Sequence, residues 1–150
     1  MSTRDFAERF NALPGWDREM GLRITKATAD EVTGEWDVEP RHHQGYGIVH
    51  GGVHCGVVET LASIGAGVWA TAHGRAVVGL ENATSFLRAV RGGRLRARAT
   101  PVTRGRTTQV WEVRIVDDAD RLVATGRVRL LCLEPERAVA GAPARLPDER

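Results

Sequence analysis

The chain has 150 residues and a mass of 16.4 kDa, with 21 Lys and Arg against 19 Asp and Glu and a formal charge of +2. That length suits one domain able to bury about 68–70% of its unfolded surface, and 42% hydrophobic with 27% charged residues excludes global disorder. Cys55 and Cys132 are too few for a disulfide framework and have no zinc spacing; a charged N-terminus and the Glu59-interrupted stretch 55–72 argue against a secretory signal and a membrane span, so a cytoplasmic location is expected.

The first amphipathic segment is predicted from Thr3 to Leu13. Phe6, Phe10 and Leu13 share a face, Ser2 or Thr3 can cap the start, and Pro14-Gly15 stops it. Two strands follow, one carrying Leu22, Ile24 and Ala27, the other alternating Val32, Gly34, Trp36 and Val38 with polar residues. After Pro40, a loop rich in His, Gly and Gln leads into His50-Gly51-Gly52, which opens a helix predicted to reach Thr71 or His73. Val57, Leu61, Ile64 and Val68 form one apolar stripe and Val53, Val58, Ala62 and Trp69 another, so this helix should be buried on all sides. Gly56, Gly65 and Gly67 each cost about 1 kcal/mol relative to Ala in a helix interior, which implies that neighbouring backbone passes close.

Beyond the helix the period drops to two. Strands are predicted at 76–88, 93–103, 106–117 and 121–133, and the short turns between them favour antiparallel neighbours. From Glu134 the chain holds Pro135, Pro143 and Pro147 and no aromatic residue, so the tail 134–150 is expected to be disordered. Residues 1–133 then form one α+β domain, an antiparallel sheet wrapped around one long central helix.

Charge is unevenly distributed. Residues 1–87 carry 7 basic and 11 acidic side chains, whereas 88–129 carry 11 arginines and only Glu112, Asp117, Asp118 and Asp120. Such a block suits a phosphate-bearing ligand, although an arginine-biased composition produces the same excess.

Glu59 is the only Asp, Glu, Lys or Arg between His54 and His73. A carboxylate on a buried helix is paired, at an interface, or functional. Gly51 and Gly52 place free N–H groups and the positive end of the helix dipole where an oxyanion can approach. Eight residues separate Gly51 from Glu59, about 12 Å along a helix, too far for both to act on one carbonyl. If both act, they come from different subunits, and the protein is at least a two-fold dimer. Ser63, four residues past Glu59, shares its face and can orient the carboxylate or a water, or simply serve helix packing. Gln44 precedes the helix as a hydrogen-bond donor or a solvated loop residue. His50 and His54 lie at i, i+4 without an HExxH motif, and no metal is expected.

The run HHQGYGIVHGGVHCGVVETLAS, from His42 to Ser63, resembles the hotdog-fold thioesterases of the PaaI-like superfamily. With Glu rather than Asp as the carboxylate, it looks most like the 4-hydroxybenzoyl-CoA and dihydroxynaphthoyl-CoA thioesterases. The similarity continues through VVGLENATSFLRAV and RGRTTQVWEVRIVDDADRLVATGRVRL, covering residues 20–133. The resemblance implies a hotdog fold and hydrolysis of an aromatic acyl-CoA, with no cofactor beyond the CoA of the substrate. It further implies that Gly51 N–H polarises the carbonyl, with Gln44 assisting. Glu59 of the opposing subunit acts as nucleophile or base, Ser63 positions water, and His50 shapes the same end of the site. CoA contacts fall on Arg88, Arg106 and Thr107, and a homodimer, commonly a homotetramer, is implied.

The enzymatic rival is a hotdog hydratase or dehydratase pairing His50 with Glu59; the Gly-Gly start and Gln44 fit hydrolysis better. A non-catalytic acyl-CoA sensor is disfavoured by the retained Glu59, and a nucleic-acid module by the lack of aromatics among the arginines apart from Trp111.

Overall fold

The computed structural model describes residues 4–146. Short helices α1 (Ala7–Asn11) and α2 (Trp16–Glu19) precede strands β1 (Arg23–Ala27) and β2 (Val32–Asp37). The long helix α3 (Gly51–Thr71) follows, and then β3 (Ala76–Phe86), β4 (Arg94–Arg104), β5 (Thr108–Val116) and β6 (Leu122–Leu133). The six strands form one antiparallel sheet in the order β1-β2-β4-β5-β6-β3. Helix α3 packs across all six. By length and hydropathy α3 could span a membrane, yet more than half of its most apolar window is buried inside the molecule, as the all-round apolar pattern required.

Alternation in β4 and β5 turns Leu95, Ala97, Ala99, Trp111, Val113 and Ile115 towards Val57, Val58, Leu61 and Ala62 of α3. Helix and sheet meet closely because aromatic rings fill the glycine gaps. A Cβ on Gly65 would lie 2.5 Å from the Trp111 ring, and one on Gly56 would strike the indole of Trp16. Rings, rather than the neighbouring backbone expected from the sequence, therefore explain these two glycines; Gly67 has only an ordinary contact with Val77. Buried Gln109 fixes Trp111 in place: its Oε1 accepts from Trp111 Nε1 at 2.9 Å while its Nε2 donates to Ala66 O at 3.1 Å.

The N-terminal helix is shorter than predicted. Phe6 N–H bonds to Ala27 O, and Asp5 Oδ1 accepts from both Ala7 and Ala27 N–H, so the chain before Ala7 is drawn onto the edge of β1 instead of into a helix. The proposed Ser2 or Thr3 cap lies outside the described residues. The segment after Leu133, expected without structure, instead forms a ribbon of β7 (Ala138–Val139) and β8 (Ala142–Pro143), spanned by an Arg145–Glu136 ion pair. Positive φ at Ala140 and Gly141 turns the chain sharply enough to pair these residues; Pro147 and the remaining tail lie outside the described residues.

His54 is buried at 3% exposure between Trp36 and Phe86, and its Nδ1 has no partner. Burial depresses its pKa from 6.5 to about 4. Between those values the unfolded chain takes up a proton that the folded chain refuses, so stability falls as pH falls through this window and levels off below it. Urea unfolding at pH 7 and pH 4 should show a loss of up to about 3 kcal/mol from this group, and His54→Leu should remove that part of the pH dependence.

Candidate active site

His50 is the N-cap of α3. Its Nδ1 accepts from Gly52 N–H at 2.8 Å and its carbonyl from Val53 N–H at 2.9 Å. Gly51 N–H is left without an acceptor among the described residues, the situation expected of a first-turn donor. The ring of Phe86, at the end of β3, lies against Gly51, so that a Cβ there would come within 2.6 Å of it. His50 is exposed while His54 faces the core, so the two imidazoles do not converge on a metal.

Two turns further along α3, Glu59 is held at both oxygens. Ser63 Oγ donates to Oε1 at 3.3 Å, and Asn82 Nδ2 donates to Oε2 at 3.0 Å. Gly79 leaves room for the carboxylate; a Cβ there would sit 2.5 Å from Oε1. Gly79 and Asn82 are three apart and would point to opposite faces of a regular strand. A β-bulge at Leu80 shifts the register between Gly79 and Glu81, so that Gly79 faces Leu130, Asn82 faces Val128, and both turn towards α3. Asn82 was not singled out in the sequence, because its inward orientation depends on that bulge. An asparagine within a strand, a residue type depleted there, was the one available signal.

The structure thus brings Glu59 and Ser63 together within one chain, adds Asn82, and keeps Gly51 and His50 two turns away. Gln44 sits in the loop, where its Oε1 accepts from Tyr46 N–H and its backbone forms a turn closed by Ile48 and Gly47. Its side-chain amide has no partner among the described residues and is available to a ligand.

The basic block resolves differently from its sequence. On the outer face of the sheet Arg94 pairs with Asp37 and Glu35, Arg98 with Glu31, Arg104 with Asp30 and Arg129 with Glu81. Arg96, Arg121 and Arg127 pair with Asp120, Asp117 and Glu112. Lys26 and Arg98 together hold the Glu31 carboxyl below its usual range. Acids of the first 87 residues therefore offset much of the downstream excess, through strand register. Of the eleven arginines, only Arg88, Arg91, Arg106 and Arg114 lack an ion pair among the described residues. Arg88 follows β3. Arg106 and Thr107 form the β4–β5 turn beside the start of β3, where Arg75 donates to Arg106 O and Cys132 N–H to Thr107 O. Arg88 and Arg106 thus occupy opposite ends of an eleven-residue strand, about 33 Å long.

A six-stranded antiparallel sheet wrapped around one buried helix is the hotdog architecture. The chain belongs to the thioesterase superfamily, whose family model matches residues 46–124, and is an enzyme of the thioester-hydrolysing class. It is 43% identical over 126 residues to Rv1847 of Mycobacterium tuberculosis, a protein bearing an esterase name, covering 83% of this chain and 90% of the relative. It is 37% identical over 109 residues to the proofreading thioesterase EntH of Cronobacter turicensis, covering 73% and 79%. Among solved structures, thioesterase HI1161 of Haemophilus influenzae superposes with a TM-score of 0.77 at 30% identity, covering 84% of this chain and 87% of that one.

Proposed function

We propose that the protein hydrolyses an aromatic acyl-CoA thioester in a site built by two subunits, with Glu59 of one and Gly51 of the other. The observation that carries this reading is the restrained Glu59 carboxylate, held by Ser63 on the same helix and Asn82 on β3, the one acidic side chain of α3. A carboxylate so oriented suits attack on a thioester carbon or abstraction of a proton from water. Gly51 N–H suits the developing oxyanion, and the free amide of Gln44 offers a second donor.

Two edges of the sheet differ in a way that favours a second copy. At β1, the N-terminal segment covers the edge: Asn11 bonds both N–H and C=O of Ile24 at 2.8 Å, and Phe6 bonds Ala27. At β3, no strand among the described residues pairs with the outer edge, and Leu80, Phe86 and Leu87 are about half exposed. A long open edge with apolar side chains is a template for pairing with another chain. Two-fold antiparallel pairing of β3 with its copy would set the Arg88 end of one strand beside the Arg106 end of the other. It would likewise bring the start of one α3 towards the middle of its partner. Two pairs of residues that are separated within a chain are thus joined by one symmetry operation.

Arg88, Arg106 and Thr107 are then the proposed contacts for the phosphates of CoA. A panel of aryl and aliphatic acyl-CoAs ranked by kcat/KM tests the substrate class; thiol release favouring aryl groups supports it, and a preference for long aliphatic chains overturns it. Arg88→Ala should raise KM about tenfold with kcat nearly unchanged, since it removes binding common to ground and transition states. Equal losses in kcat and kcat/KM would instead assign Arg88 to the chemical step.

A further inference from the structure

We infer that Asn82 is a positioning residue for Glu59, fixing the rotamer in which the carboxylate meets the thioester; this rests on Glu59 being the reacting group. Asn82 has three partners and no freedom to flip. Its Nδ2 donates to Glu59 Oε2 and to Cys55 O, both at 3.0 Å, and its Oδ1 accepts from Thr84 Oγ1 at 2.7 Å. A flipped amide would turn its oxygen towards a carboxylate and a carbonyl, neither of which can donate. The orientation is therefore set by chemistry, and Thr84, two residues along the same strand, holds it.

Cys55 and Glu59 are one helical turn apart, so a single amide group bridges the backbone of α3 to the side chain one turn on. Glu59 is thereby tied to two rigid references, its own helix through Ser63 and β3 through Asn82. The bulge at Leu80 is the device that aims Asn82: without the extra residue, Asn82 would face the outside of the sheet while Gly79 faced Glu59. A long, flexible glutamate loses rate when its productive rotamer is one of several, and a charge-assisted hydrogen bond restricts that choice.

The test uses the full chain and single-turnover kinetics. Glu59→Gln comes first: substantial remaining activity overturns the underlying reading of Glu59, independently of Asn82. With Glu59 so established, Asn82→Ala should lower kcat about 10- to 100-fold, the range for losing a hydrogen bond to a charged group, with KM within about twofold. In the Glu59→Gln background the same substitution should have no further effect on rate, because Asn82 acts through the carboxylate. Asn82→Asp keeps the size and Thr84's acceptor but cannot donate, and should lose at least as much rate while remaining folded. Equal losses from Asn82→Ala in both backgrounds would assign a purely structural role, and near-normal kcat in Asn82→Asp would show the donor to be dispensable; either result overturns the inference.

Discussion

Glu59→Gln should lower the rate of thioester hydrolysis by about a thousandfold or more while leaving the fold and oligomeric state intact. The substitution preserves shape and removes only the charge and basicity. A glutamine oxygen can still accept from Asn82, whose donor lies 3.0 Å from Oε2, and the glutamine NH₂ can donate to Ser63 Oγ where Oε1 now accepts at 3.3 Å. Thermal unfolding and gel filtration should therefore match the unaltered protein, so that a loss of rate is assigned to chemistry. Turnover within tenfold of the parent would exclude Glu59 as the reacting group. In the unaltered protein, labelled water separates two routes. In direct attack, Glu59 forms a mixed anhydride as the C–S bond breaks and the CoA thiolate leaves, and water then hydrolyses the anhydride to the free acid and the Glu59 carboxylate; in the alternative, Glu59 takes a proton from water as it attacks the acyl carbon, and the tetrahedral intermediate expels the CoA thiolate, which takes up that proton. A single turnover in oxygen-18 water that labels the Glu59 carboxylate supports the anhydride.

Sequence alone revealed the elements whose periodicity follows from having one buried face. β4 and β5 alternate because one face meets α3 and the other meets water, and α3 is apolar all round because the sheet wraps it. Glu59 and the Gly51 N-terminus were legible for the complementary reason: a charge in a buried helix and glycines at its start both need explaining. What escaped was whatever depends on register between distant strands. The bulge at Leu80 has no local signature, so Asn82 could not be assigned to the inner face. The arginine block suits a phosphate-bearing ligand or a merely compositional excess, and only strand pairing shows Arg94 opposite Asp37 and Arg98 near Glu31. The first helix is shorter than its pattern predicts because the competing hydrogen bonds with β1, Ala27 N–H to Asp5 and Phe6 N–H to Ala27 O, are tertiary, and at about 0.5–1.5 kcal/mol each they outweigh a weak local propensity.

Two individually inactive variants should restore activity to each other when their subunits are mixed. In a Gly51→Val chain, the branched side chain would meet the Phe86 ring, which already lies 2.6 Å from an added Cβ, and would crowd the space an oxyanion needs beside the N–H. In a Glu59→Gln chain the reacting group is lost. If each site takes Gly51 from one subunit and Glu59 from the other, a mixed dimer contains one site with both defects and one with neither. Co-refolding equal amounts gives mixed dimers about half the time, and each has one working site of two, so about a quarter of the parental activity should return. If Gly51 and Glu59 served the same site from one chain, every site in the mixture would carry a defect and no recovery could occur. Differently tagged chains verify by mass that mixed dimers have formed. Their presence without activity would overturn the shared site, whereas activity rising in proportion to the mixed species would tie the about 12 Å between the two residues on α3 to the need for a second subunit.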